Sequence, residues 1–160
     1  MSSLFDLTSQ YNFYKKYHSN PINVFIHIIC IPMIFWSISV LLAPIQVYNY
    51  IFNLTFFVSF CYSMYYHCLD LFLGQIMTIL LMISWYSASI FYYNNEYSVK
   101  YAITINIVSW ILQFIGHGLF EGKKPALIDN LIQAFLIAPM FVLIDVLSIF
   151  GYKLDESLTK

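Results

Sequence analysis

The chain has 160 residues, of which 61% are apolar or aromatic and only 9% are charged, with a net charge of −1. A soluble domain carries roughly 25% charged residues, so a water-exposed globule and a disordered tail are excluded. Seven lysines and no arginine face eight acids, which also excludes a nucleic-acid binder. A mean hydropathy of +0.73 leaves an integral membrane protein.

The charges divide the chain. None falls between Tyr17 and Leu69, Leu71 and Asn95, Tyr101 and Phe120, or Asn130 and Ile144. A bilayer span takes about 20 mostly apolar residues. The first gap holds two spans and the next two hold one each. The last, extended past Asp145 to Phe150, makes a fifth. The expected fold is an all-α polytopic membrane helix bundle, one domain over 1–160. It has about five spans, with four as the alternative.

In chain order, residues 1–20 read as a short amphipathic helix capped by Thr8 or Ser9. Tyr11, Phe13, Tyr14 and Tyr17 would rest on the membrane surface, with Lys15 and Lys16 among the headgroups. Asp6 and the lack of a basic start do not read as a signal peptide. Asn20-Pro21 reads as a helix start. The spans fall at about 22–42, kinked at Pro32 and closed by Pro44, then 50–66, 73–93, 101–119 and 131–150. A turn at Asp70 joins the second and third. Cys30, Cys61 and Cys68 read as small buried hydrophobes without a disulfide framework. Asp145 lies late in the fifth span, about 20 Å from the cytoplasmic side, as a structural or luminal-interface residue. With five spans, Lys15, Lys16, Lys123 and Lys124 share one side, and Lys100, Lys153 and Lys160 the other. The lysine pairs nearest the membrane place the first side in the cytosol.

His18, His27, His67 and His117 all fall at or near cytoplasmic span ends. Ionisable groups in spans are expensive and usually face an interior site. His18 and His27 are nine residues apart, about 180° on a straight helix. They can share a ligand only if the chain bends between them, as Asn20-Pro21 permits. His117 and Glu121 are four apart, one above the other on a helix face. Gly116 and Gly118 would let a helix or ligand approach closely. Neutral imidazoles suit iron, zinc, copper or nickel. A bis-histidine haem protein for electron transfer and a non-catalytic lipid-binding scaffold both remain open on spacing alone.

Two segments carry more. Tyr17-His18-Ser19-Asn20-Pro21-Ile22-Asn23 leads to Ile26-His27 and Ile31-Pro32. Gly116-His117-Gly118-Leu119-Phe120-Glu121-Gly122-Lys123-Lys124-Pro125-Ala126-Leu127 leads to Asp129-Asn130 and Ala138-Pro139. Together they resemble the fungal 2-hydroxy-fatty-acid dioxygenase family over nearly the whole chain. The departure is Ile31, where many relatives have glycine. His67 is outside both motifs. The resemblance implies an Fe(II)-dependent enzyme of the endoplasmic reticulum membrane, its amino terminus and metal site cytosolic. With O2 it shortens 2-hydroxy fatty acids by one carbon, taking 2-hydroxypalmitate to pentadecanoate in phytosphingosine breakdown. It makes His18, His27 and His117 the expected iron ligands. Glu121 is then a candidate catalytic carboxylate, either orienting His117 or ligating iron itself. Lys123 and Lys124 are candidates for the substrate carboxylate, and Asn20 and Asn23 for groups supporting the ligands. The acyl chain would lie among the apolar spans. Oligomeric state is not legible.

Overall fold

The computed structural model describes residues 5–122 and 133–154. The elements are α1 (Leu7–Lys15), α2 (Pro21–Leu42), α3 (Leu54–Leu69), α4 (Leu71–Asn94), α5 (Ser98–Ile115) and α6 (Ala138–Ile149). A π-helical turn, Gly116–Glu121, continues α5, and a second, Gln133–Ile137, leads into α6. Among the described residues there is no strand beyond a single Gln46–Asn53 bridge, so the bundle is all-α.

Three helical stretches are long and apolar enough to cross a membrane: Pro21–Leu42, Leu71–Asn94 and Ser98–Glu121. Their outward faces are apolar. Ile79, Ile83, Tyr86 and Ile90 form an exposed stripe on α4, and Ile103, Ile107, Ile111 and Phe114 one on α5. The inward side of α5 instead carries Ala102, Ser109, Gln113, Gly116 and His117. Apolar outside with small and polar inside is the pattern of helices packed in lipid.

The other two expected spans take different forms. α3 has sixteen residues, about 24 Å against a hydrocarbon layer of about 30 Å. It starts at Leu54 rather than residue 50 because asparagines divert the backbone before it. Asn49 Oδ1 accepts the Ile51 and Phe52 amides, and Asn53 Oδ1 accepts that of Phe56. In α6, every residue from Ile137 to Asp145 except Pro139 is buried. Its first two turns are thus enclosed by protein, as in a core helix, while Ser148 and Ile149 at its end are exposed. Cys61 and Cys68 are exposed on the chain and only Cys30 is buried, so burial by protein accounts for one thiol of three.

The chain forms two units. The second, Pro32–Trp110, holds a small core of Val40, Ala88 and Ala102 with Trp36 and Phe91 against it. Polar pairs tie its helices: Asn53 to Ser89, Asn106 to Ser37, Ser63 to Thr78. Asp70 stops α3 and caps α4, its carboxylate accepting the Leu73 amide at 2.7 Å. Gly74 then faces α3 so closely that a Cβ there would lie 2.8 Å from the His67 Cα.

The first unit comprises Met1–Ile31 and Ile111–Lys160. Its α1 begins at Asp6, not at Thr8 or Ser9, because the Asp6 carboxylate accepts the Ser9 amide at 3.0 Å. Asn20 Oδ1 accepts the Ile22 amide at 2.9 Å and starts α2 with Pro21 in its first turn. Tyr14 does not rest on a membrane surface: it is buried, 4% exposed, against α6.

Candidate metal centre

Three histidines meet inside the first unit. His18 follows α1, His27 is two turns into α2, and His117 sits on the π-helical turn. Their ring centres are 4.5, 4.8 and 4.9 Å apart, with each pair of rings near perpendicular. One nitrogen from each lies within 4.8 Å of the others, and all three side chains are buried. The chain bends over the five residues between α1 and α2, so two residues half a turn out of phase face one point. The helical stretch from Ser98 runs on to Glu121, past the expected end at 119, so His117 is inside it rather than at its end. π-helical turns often mark functional sites.

Backbone carbonyls set the histidine tautomers. His18 Nδ1 lies 2.9 Å from the Tyr14 carbonyl, and His27 Nδ1 lies 2.9 Å from that of Asn23. A carbonyl only accepts, so each Nδ1 carries the proton and each Nε2 is left as a lone pair. A ligating histidine is commonly held this way from behind. Burial, and then the neighbouring His27, push the His18 imidazole down to about 2, so it is neutral and ready to donate its lone pair. His18 Nε2 and His117 Nδ1 are buried with no hydrogen-bond partner. Leaving such an atom unpaired costs about 1–3 kcal/mol. Two of them in one three-histidine pocket fit a metal ion, which would satisfy both.

The other expected residues surround this centre. Glu121 grips the start of α2: its carboxylate accepts from the Ser19 amide and hydroxyl, the Asn20 amide at 2.9 Å and Asn23 Nδ2 at 3.3 Å. It is outside the group of converging ligand atoms. A carboxylate at a helix N-terminus is favoured by the helix dipole. Asn20 Nδ2 donates to the Phe120 carbonyl at 3.0 Å and closes the same join. Asn23 gives its carbonyl to His27 and its amide to Glu121, so it connects two parts of the site. His67 is half-buried in the second unit, its Nδ1 on the Ser63 carbonyl, and is not in the cluster. Lys123 and Lys124 lie outside the described residues.

Sequence reasoning missed Tyr14 and undervalued Asp145. The Tyr14 ring stacks on His18 with centres 3.8 Å apart and planes 16° apart. Its hydroxyl donates to Asp145 at 2.9 Å. Tyr11 donates to the same carboxylate at 2.7 Å and Lys15 at 2.9 Å. Asp145 is therefore beside α1, not on the opposite face from it. Burial and then Asp145 raise both tyrosines above their ordinary range, so the hydroxyls stay protonated. Two signals were available: Tyr14 is one helical turn before His18, and Asp145 is the lone charge in its apolar stretch.

Gly116 and Gly118 have different roles. A Cβ on Gly116 would lie 2.6 Å from Asn23 Oδ1, whereas one on Gly118 meets nothing within 4 Å. Gly116→Ala should displace Asn23, and with it the His27 carbonyl partner. A shift near 1 Å at a reacting centre costs about 10²-fold in rate. Gly118→Ala should leave metal content and turnover within about twofold. Equal behaviour of the two variants, in metal analysis and turnover, would defeat this reading.

A buried cluster of three converging imidazoles in an apolar helix bundle is an arrangement that could hold a metal ion. The family model described as 2-hydroxy-palmitic acid dioxygenase Mpo1-like matches residues 4–149. The chain is 38% identical over 149 residues to the 2-hydroxy-palmitic acid dioxygenase MPO1 of Saccharomyces cerevisiae, covering 93% of this chain and 84% of the yeast protein. This protein belongs to the Mpo1-like family. No solved structure matches it.

Proposed function

We propose that this protein is an Fe(II)-dependent dioxygenase that shortens 2-hydroxy fatty acids by one carbon, 2-hydroxypalmitate giving pentadecanoate. The observation that carries this reading is the convergence of three buried imidazoles, two of them with an unpaired nitrogen. Kinship with the yeast dioxygenase supplies the substrate class. His18, His27 and His117 would hold the iron. Iron held by these three residues would supply the oxygen chemistry.

The chain's own residues do the rest. The Tyr14 and Asn23 carbonyls hold two imidazoles in their donor tautomer. Glu121 and Asn20 fasten the π-helical turn to the start of α2 and so hold His117 against His27. Burial of all three rings keeps water from the reacting centre. Lys123 and Lys124 follow directly on Glu121, and we assign them a part in drawing the substrate carboxylate to this end of the bundle. Electron balance favours carbon dioxide as the second product. A 2-hydroxy acid and one O2 give the shortened acid, carbon dioxide and water with nothing left over, whereas formate would require two more electrons.

The family reading also implies the endoplasmic reticulum membrane, with the site on the cytosolic face. What supports that orientation is the lysine distribution. Asp145 pairs with Lys15 at 2.9 Å, which puts the end of α6 beside α1 and Lys153 on its side. Lys15, Lys16 and Lys153 then share one end of the first unit, a cluster of the kind expected on a cytosolic face.

The haem alternative fits the geometry poorly. A haem held between two imidazoles would keep their rings apart. Rings 4.5–4.9 Å apart in all three pairs are too close for that. The deciding experiment is anaerobic purification, loading with Fe(II), and mass spectrometry of the fatty acids formed from 2-hydroxypalmitate and O2. Pentadecanoate that disappears on chelation supports the reading. A metal-loaded protein that forms none defeats it.

A further inference from the structure

Beside His18 a groove of about 540 Å³ opens on the outside of the first unit. Its polar lining is Lys15, His18 and Ser19. The rest is walled by Val24, Phe25 and Ile28 of α2 and by Ile149 of α6. Phe25 is 61% exposed and Ile149 73%, so the groove opens sideways toward the lipid. Ligand sites of this size, mostly apolar with a few placed polar groups, are common. The lining of this groove is mixed: an ammonium, an imidazole and the Ser19 hydroxyl, with five apolar residues, Pro21 among them, making up the rest. Lys15 is held there by Asp145, yet its side chain is 43% exposed, and an ammonium has three protons to donate.

We infer that this groove is the fatty-acyl site, with Lys15 receiving the substrate carboxylate and the alkyl chain lying along Val24, Phe25 and Ile28. The inference rests on the proposed function and adds a binding site to it. Charge complementarity selects the occupant: an amphiphile with one anionic head and one long apolar tail matches a mostly apolar groove with one cation in its lining. Entry from the bilayer follows, because a fatty acid already dissolved in lipid meets the apolar wall first. Ile28 is seven residues beyond Pro21, about 10 Å along the helix. It therefore contacts the far part of a long chain and not the head.

Two variants test this with the metal-loaded protein. Lys15→Met should raise KM for 2-hydroxypalmitate about tenfold or more with kcat nearly unchanged, and Lys15→Arg, which keeps the charge, should restore most of it. Ile28→Trp should raise KM for 2-hydroxypalmitate about tenfold while leaving 2-hydroxyoctanoate within twofold, a length dependence that a merely damaged fold would not produce. Displacement of a fluorescent fatty acid from the metal-free variants gives the same comparison without turnover. If the wild-type protein turns over 2-hydroxypalmitate and both variants match it, the groove holds only annular lipid and the assignment falls. If the loaded wild-type protein turns over no 2-hydroxy acid, the proposed function falls instead, and the displacement assay alone decides the groove.

Discussion

Replacing His27 with alanine is expected to abolish tight metal binding and to lower turnover by more than about 100-fold. Groups that merely support a metal ligand already cost about 10–100-fold when removed, and His27 is a ligand in the proposed site. Asn23 holds its Nδ1 proton, which leaves the Nε2 lone pair available to a metal. The same loss is expected for His117→Ala. Stability should move differently. Without metal, the protein carries a buried His117 Nδ1 that bonds to nothing, so an apolar residue of similar size there should be neutral or stabilising. Metal should stabilise the wild-type protein, by about 2.7 kcal/mol at a hundred times its dissociation constant, and should not stabilise the variants. Thermal unfolding in detergent, with and without Fe(II), measures both effects. Retained metal and retained turnover in His27→Ala and His117→Ala would remove the metal centre from the protein.

Much of this centre was legible in the sequence because its ligands sit in two short motifs. Tyr17 to His27 contains two histidines and the helix break that lets them converge. Gly116 to Glu121 contains the third, with a glycine that lets α5 approach Asn23. What periodicity could not supply was the π-helical turn. An α-helical reading puts His117 and Glu121 on one face and suggests that they work together. In the structure the Glu121 carboxylate reaches instead to Ser19, Asn20 and Asn23, about a hundred residues away in the chain. The span count was also hard to read. Hydropathy registers that the stretch from Leu131 to Phe150 is apolar, but not whether lipid or protein covers it. Asp145 was the clue: a charge in an enclosed helix needs partners, and Tyr11, Tyr14 and Lys15 of α1 supply them.

Asp145 therefore yields the second large expected effect. Its carboxylate accepts from Tyr11, Tyr14 and Lys15. Asp145→Leu leaves two tyrosine hydroxyls without their acceptor in a mostly buried setting, at about 1–3 kcal/mol each. The Lys15 ammonium is partly in solvent and adds less. A loss of about 3 kcal/mol is expected, read as a lower unfolding temperature in detergent. Asp145→Asn keeps one acceptor oxygen and should lose roughly half as much. The effect should also reach the metal. Tyr14 lies flat on His18 and gives it a carbonyl partner, so releasing the Tyr14 hydroxyl loosens the ring that His18 rests on. Metal affinity should fall about tenfold in Asp145→Leu. It should stay near the wild-type value in Tyr11→Phe, whose ring touches Tyr14 but whose hydroxyl is not the one that fixes it. If Asp145→Leu unfolds at the wild-type temperature, the cluster does not fasten α6 to α1. If it destabilises the fold while metal affinity is unchanged, the path from Asp145 through Tyr14 to His18 carries no positional information, and the carbonyl of Tyr14 alone holds the ligand.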